Sequence, residues 1–223
     1  MAVADINVPY YARRANEYDI TTGYQRPKAA AAMAPIRARY QLAFQDEDVL
    51  EVACGTGYWT RTVAVTARSV LATDVNPEVI AVARERTASL PNVRFQVASA
   101  YSLDGVEGPF TAAFAQFWWS HVPVSDLRRF LTGLHSKLRP GSRVMFLDGL
   151  RSVRRRGRRF DEAGDLLEER VLLDGTRFEI IKNFPTADEM NDVLAGIAEQ
   201  VVYKEYPANG VWVVSYRIKL SSI

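Results

Sequence analysis

From Asp48 onward, short apolar runs alternate with segments of helical period. "DVLEVA" (48–53), "SVLATD" (69–74), "VRFQVA" (93–98), "FTAAFAQF" (110–117) and "SRVMFLD" (142–148) read as five strands. Between the first two, Thr60 to Ala67 reads as a helix. Asn76, Pro77 and Glu78 supply an N-cap, a first-turn proline and a dipole-favourable acid for another, which reaches about Ser89. Leu127, Phe130, Leu131, Leu134 and Leu138 mark one face of a further helix, which Pro140 and Gly141 end. Strands alternating with helices at this spacing predict a doubly wound α/β fold, a Rossmann-like parallel sheet with right-handed crossovers.

The flanks differ. A short helix is expected from Pro9 to about Tyr18. A second is expected from about Lys28 to Leu42, kinked or divided at Pro35. After Gly149 the chain turns basic, and "AGD" and "LDGT" then mark turns around "LLEERVLL" and "RFEIIKN". Asp174-Gly175 is a hairpin signal, so an antiparallel insertion is predicted. Thr186 and Glu189 form a capping box for a helix to about Glu199, and "QVVYKEY" and "GVWVVSYRI" add two antiparallel strands. The expected organisation is a helical cap (1–45), a core (46–150), an inserted hairpin lid (151–184), and a last helix with two closing strands (185–223). Together these give a seven-stranded sheet, mostly parallel with an antiparallel C-terminal strand.

Composition narrows the function. Net charge is +2, from 28 basic and 26 acidic residues, which exerts no general pull toward nucleic acid or membrane. The single cysteine, Cys54, excludes an internal disulfide and suggests a reducing cytoplasm. No apolar run suits a membrane span, the N-terminus has no secretory pattern, and no metal-ligand cluster is visible.

The chemistry concentrates in "VLEVACGTGYWT" (49–60), a strand, a loop of small residues and a helix start. Gly55 and Gly57 allow positive φ and close approach of backbone to a ligand. A dinucleotide fingerprint requires a third glycine, and here Trp59 or Thr60 crowds that position. Asp74 ends the next strand, placed to accept both hydroxyls of a ribose. A ribose site without a diphosphate site points to an adenosine ligand bearing an amino acid.

"LEVACGTGYWT", "ATDVNPEVI", "VRFQVASAY", "FTAAFAQFWWSHVP" and "LRPGSRVMFLDG" resemble, in order and spacing, the motifs of class I S-adenosylmethionine (SAM)-dependent methyltransferases. The resemblance covers about 40–220 and is nearest to the small-molecule group similar to ubiquinone/menaquinone C-methyltransferases. It implies SAM as cofactor. Glu51 and the backbone of Ala53 and Gly55 would meet its methionine end, and Gly57 would permit the turn. Asp74 would hold the ribose, Val75 would lie against the adenine, and Ser99 and Ala100 would border the adenine edge. Phe117 would present backbone to the methionine moiety. Many relatives carry Asp where this chain has Ser99, and an uncharged acceptor there forgoes roughly 1 kcal/mol.

His121 follows the fourth strand at the sheet's carboxyl edge and is the candidate general base, or else a pocket wall. Tyr11 and Tyr18 on the N-terminal helix, Trp118 beside the fourth strand and Phe184 at the end of the lid are expected to touch a small-molecule substrate. Cys54 reads as a small packing residue, and His135 as a surface or rim residue. The six arginines of 151–159 suit a solvated face, an anionic substrate group or a homodimer contact better than RNA. The alternatives are a SAM-binding protein that transfers no methyl group, and an RNA methyltransferase.

Overall fold

The structure, a computed structural model, describes residues 6–15, 17–22, 26–151 and 158–219. Three helices open the chain: α1 (Val8–Arg14), α2 (Tyr18–Thr22) and α3 (Pro27–Ala43). Pro9 stands in the first turn of α1 as expected. The first predicted helix ends early, at Arg14, and a second short one starts where it was expected to stop, at Tyr18, whereas α3 runs undivided through Pro35.

The core follows as β1 (Asp48–Val52), α4 (Tyr58–Ala64), β2 (Ser69–Asp74), α5 (Pro77–Arg86), β3 (Val93–Val97), β4 (Phe110–Gln116), α6 (Leu127–His135) and β5 (Leu138–Gly149). Next come β6 (Arg158–Phe160), β7 (Leu166–Val171) and β8 (Arg177–Ile181), then α7 (Ala187–Leu194), β9 (Ala198–Tyr206) and β10 (Val211–Ile218). The main sheet has seven strands in the order β3-β2-β1-β4-β5-β10-β9. Strand β10 runs antiparallel to both neighbours, and the other pairings are parallel. A separate antiparallel sheet, β6-β7-β8, carries the predicted insertion, with Asp174-Gly175 in the β7–β8 turn.

Strand parity sorts the core into two layers. Val49, Phe114, Met145, Leu147 and Val213 pack with Ile36 and Tyr40 of α3 and Trp59 and Val63 of α4. Leu50, Ala113, Phe146, Trp212 and Val214 pack on the other face with Phe130, Leu131 and Leu134 of α6 and Met190 and Leu194 of α7.

Several boundaries depart from the sequence reading, α4 and α5 among them, each of which ends three residues earlier than expected. Helix α6 stops at His135, and Pro140-Gly141 lie inside β5, whose first residue, Leu138, already pairs with Phe110. Helix α7 ends at Leu194, because Gly196 takes φ +79° and turns the chain into β9. The capping box of Thr186 and Glu189 is formed. Asn76 holds the N-cap position of α5 but makes no side-chain capping bond.

The chain lays down β1, β2 and β3 outward, then returns to place β4 on the far side of β1. The crevice at the carboxyl ends of β1 and β4 is the topological switch point, where such sheets bind ligands. Gly57, with φ +77°, starts α4 there, and a Cβ would lie 2.9 Å from the Cβ of Ala83 on α5. Gly57→Ala combines backbone strain with overpacking and is expected to cost about 2 kcal/mol, read from urea unfolding.

Candidate active site

Two of the backbone turns at the switch point take a conformation that non-glycine residues seldom adopt. Ala53, just after β1, has φ 54°, and Phe117, just after β4, has φ 55°. Such strain concentrates at functional sites. Gly55 also has positive φ, and an added Cβ would meet nothing within 4 Å, so the loop borders open space.

That space is a cavity of about 560 Å³. Of the expected cofactor residues, Ala53, Gly55, Asp74, Val75, Ser99, Ala100 and Phe117 line it. Asp74 holds the wall together: one carboxylate oxygen accepts from Gly55 N and the other from Asn76 N, each at 2.9 Å. Ser99 Oγ accepts from Tyr101 N at 3.3 Å, so it also shapes the adjoining turn.

Two expected residues stand behind the wall. Gly57 serves the α4–α5 contact. Glu51 is buried and accepts from Thr60 Oγ1 at 2.5 Å. Burial, and then the charge of Asp74, raises the Glu51 pKa to about 8 although Thr60 opposes the shift, so the folded protein keeps this acid neutral at pH 7.

The sequence reading missed Gln116 and Asn7. Gln116, the last residue of β4, lines the cavity and accepts from Tyr40 OH at 3.4 Å. Its Nε2 is a buried donor with no hydrogen-bond partner among the described residues, as is Nε1 of Trp118 in the same cavity. Asn7 is nearly inaccessible at 1% exposure. Its Nδ2 donates to the carbonyl of His121 (3.1 Å) and its Oδ1 accepts from Ile181 N (3.0 Å). One side chain thus joins the start of α1, the turn after β4 and the end of β8.

A second cavity, of about 580 Å³, lies under α1 and the small sheet and shares Tyr11, Tyr18, Phe117 and His121 with the first. Phe184 lines this one, whereas Trp118 lines only the first, packed on Tyr101 and Phe130. Arg14, Arg158, Arg170 and Lys182 line the second cavity together with the acids Glu17, Glu168 and Glu169. Arg158 departs from the solvated face expected of the arginine run: only 12% exposed, it lies over the Phe184 ring and near the buried Glu168, which Arg170 contacts at 2.7 Å. Arg159, 60% exposed, pairs outward with Glu179, while 152–157 lie outside the described residues.

The small sheet is docked on the core by Lys182, which donates to Asp148 Oδ1 (2.9 Å) and Ser120 Oγ (2.5 Å). Burial alone would raise the Asp148 pKa, but Lys182, His121 and the Ser120 donors outweigh it and hold the carboxyl below its ordinary value.

His121 is 3% exposed. Its Nδ1 lies 2.6 Å from the Ile181 carbonyl and its Nε2 lies 2.8 Å from Tyr11 OH. Burial first, then Lys182, lowers its pKa to about 3 against the opposing pull of Asp148 and Ile181, so the imidazole is neutral at pH 7. His135 is half-buried and bonds Tyr216 OH at 2.8 Å, away from both cavities. Cys54 is a buried free thiol whose pKa burial, Asp74 and Glu51 all raise, the opposite of an activated nucleophile. No helix among the described residues is long and apolar enough to cross a membrane, and no cluster there could hold a metal ion.

A switch-point cavity beside a glycine loop, with a carboxylate ending the second strand, is an arrangement in which doubly wound sheets bind nucleotides. Comparison with known proteins agrees. The methyltransferase-domain family matches residues 49–141. The solved DhpI–SAM–HEP complex is 30% identical with a TM-score of 0.77, and the match covers 97% of this chain and 98% of that one. The demethylmenaquinone methyltransferase of Tropheryma whipplei is 32% identical over 99 residues, 44% of this chain and 40% of that protein. The ubiquinone biosynthesis O-methyltransferase of Xanthomonas campestris is 31% identical over 145 residues, 63% of this chain and 59% of that protein. The chain therefore spans less than two thirds of either curated relative. It belongs to the class I SAM-dependent methyltransferases.

The buried acid beneath the loop has a measurable signature. Glu51 carries a folded pKa near 8, above its unfolded value, so its stabilising contribution is complete in acid and is lost as pH rises through the folded value. Relative to Glu51→Gln, the wild type is expected to lose about 1.4 kcal/mol of stability per pH unit between pH 5 and 8. Urea unfolding of both proteins across that range measures it.

Proposed function

We propose that this chain transfers the methyl group of SAM to a small polar acceptor bearing an anionic group. The observation that carries the reading is the pair of adjoining cavities, one with nucleoside-binding features and one with a charged lining that is net positive, meeting at Tyr11, Tyr18, Phe117 and His121. Bound SAM supplies an electrophilic methyl group on a sulfonium.

The residues present fit that cofactor. The Asp74 oxygens suit ribose hydroxyls, Val75 and Ser99 border a flat base, and the space over Gly55 admits a ligand where a side chain would intrude. Gln116 Nε2 and Trp118 Nε1 are the donors a carboxylate takes. The aromatic rings at the shared wall favour a cation by a cation–π term. On the acceptor side, the four cations Arg14, Arg158, Arg170 and Lys182 outnumber the acids Glu17, Glu168 and Glu169 by one, so the lining favours an anionic group by its net positive charge. Helix α1 borders both cavities, and the small sheet borders the second. Their joint task is to exclude water and hold the acceptor in line with the methyl group.

Two measurements test this. Asp74→Ala is expected to weaken S-adenosylhomocysteine (SAH) binding by about 2–4 kcal/mol in calorimetry, while a dissociation constant equal to that of the wild type would place the ribose elsewhere. Incubation of the protein with methyl-labelled SAM and a protein-free metabolite extract should move label into a small anionic product retained on an anion exchanger. Binding of SAH with no labelled product would leave a cofactor-binding protein without transferase activity.

A further inference from the structure

We propose that Tyr11 takes the proton from the acceptor and passes its own hydroxyl proton to His121, so that the two act as a relay. The inference rests on the methyl-transfer reading and adds the chemical state of the acceptor, whose methylated atom enters as a neutral O–H or N–H.

The geometry decides which residue meets the acceptor. The Ile181 carbonyl can only accept, so the 2.6 Å contact puts a proton on His121 Nδ1 and leaves the lone pair on Nε2. Tyr11 OH, 2.8 Å away, donates to that lone pair. With α1 seated, both imidazole nitrogens are engaged, and the ring stands edge-on to Tyr11 with centroids 5.2 Å apart. Tyr11 keeps spare lone pairs on its oxygen and lines both cavities. The path from acceptor to His121 therefore runs through the Tyr11 oxygen.

Each element around the imidazole fixes part of this arrangement. Asn7, ahead of α1, holds the backbone of both His121 and Ile181. Lys182, after β8, and Arg170, on β7, oppose a second proton on the ring, while Asp148, on β5, favours one. Burial keeps Tyr11 protonated and His121 neutral at rest, so the relay starts from two uncharged groups.

The balance closes without a further reactant. The X–H bond of the acceptor breaks and its proton goes to Tyr11 Oη. The Tyr11 proton goes to His121 Nε2, while Nδ1–H stays on Ile181. The acceptor's electron pair forms the bond to the methyl carbon, and the pair of the broken C–S bond stays on sulfur. Nothing is oxidised or reduced. One positive charge leaves the sulfonium as one appears on the imidazolium, so the enclosed site keeps its net charge, and the loss of the sulfonium charge drives a protonation that burial, Lys182 and Arg170 oppose at rest. The imidazolium then returns its proton to water as product departs.

The chain has only two histidines, so 15N-histidine labelling resolves the imidazoles, with His135→Gln as the assignment control. In the SAH complex, His121 is expected as the neutral Nδ1–H tautomer at pH 7, with an Nε2 resonance that moves in Tyr11→Phe. An Nε2–H tautomer or an imidazolium at pH 7 overturns the relay. With labelled SAM and the metabolite extract, Tyr11→Phe and His121→Gln are each expected to label product at least about a hundredfold more slowly than wild type. Their SAH dissociation constants should stay within about threefold, under 1 kcal/mol. The wild type should show a normal solvent deuterium isotope effect that Tyr11→Phe lacks. Wild-type labelling with Tyr11→Phe within about threefold of it overturns the relay alone. So does a product methylated on an oxygen already ionised in the free acceptor. SAH binding with no labelling by wild type overturns the methyl-transfer reading itself.

Discussion

The site depends first on one carboxylate held between two loops. Asp74 ends β2, yet its two oxygens reach the amide of Gly55, after β1, and the amide of Asn76, before α5. Charge-assisted bonds of this kind are about twice as strong as neutral ones. They set the spacing of the strand ends, and that spacing sets the width of the crevice. The strained turns at Ala53 and Phe117 persist because buried strands on either side over-determine them. The side chain that anchors the two loops thus also lines the cavity between them.

The second dependence is the cover. Helix α1 is too short to be stable alone, and its apolar side packs on the small sheet, where Tyr10 meets Leu172, Ile180 and Phe178. Arg13 pairs with Asp174 in the β7–β8 turn, and Glu17 accepts from Leu173 N. Exposed pairs of this kind contribute little. The buried Asn7 bridge and the Lys182–Asp148 contact carry more, since breaking either leaves polar groups desolvated. The N-terminal helical segment and the small sheet therefore pack as one unit, although the contacts between them join residues 156 and 174 apart in the chain.

Most of the core was legible from local pattern. Strand periodicity gave all seven strands of the main sheet, and the glycine loop with Asp74 located the switch point. What escaped was long-range. Asn7 has no motif, and its partners lie 114 and 174 residues away. Gln116 was hidden by a one-residue difference, because the strand reading extended to Phe117 while the backbone leaves β conformation there. Arg158 read as part of a basic run, yet strand alternation in β6 turns it inward and Arg159 outward. The lid was expected from its turns, but no local signal could show that it meets α1.

The buried donors of Gln116 and Trp118 have a consequence outside chemistry. Each unsatisfied buried donor costs the native state on the order of 1–3 kcal/mol. A ligand that accepts from them binds the folded chain and not the unfolded one, so its concentration enters the folding equilibrium directly. In a cell, unfolded molecules are removed by proteolysis, and a shift of 1–2 kcal/mol changes abundance several-fold. The amount of this protein that escapes proteolysis should then follow the supply of a ligand that accepts from these donors, with no dedicated regulator and no change in synthesis.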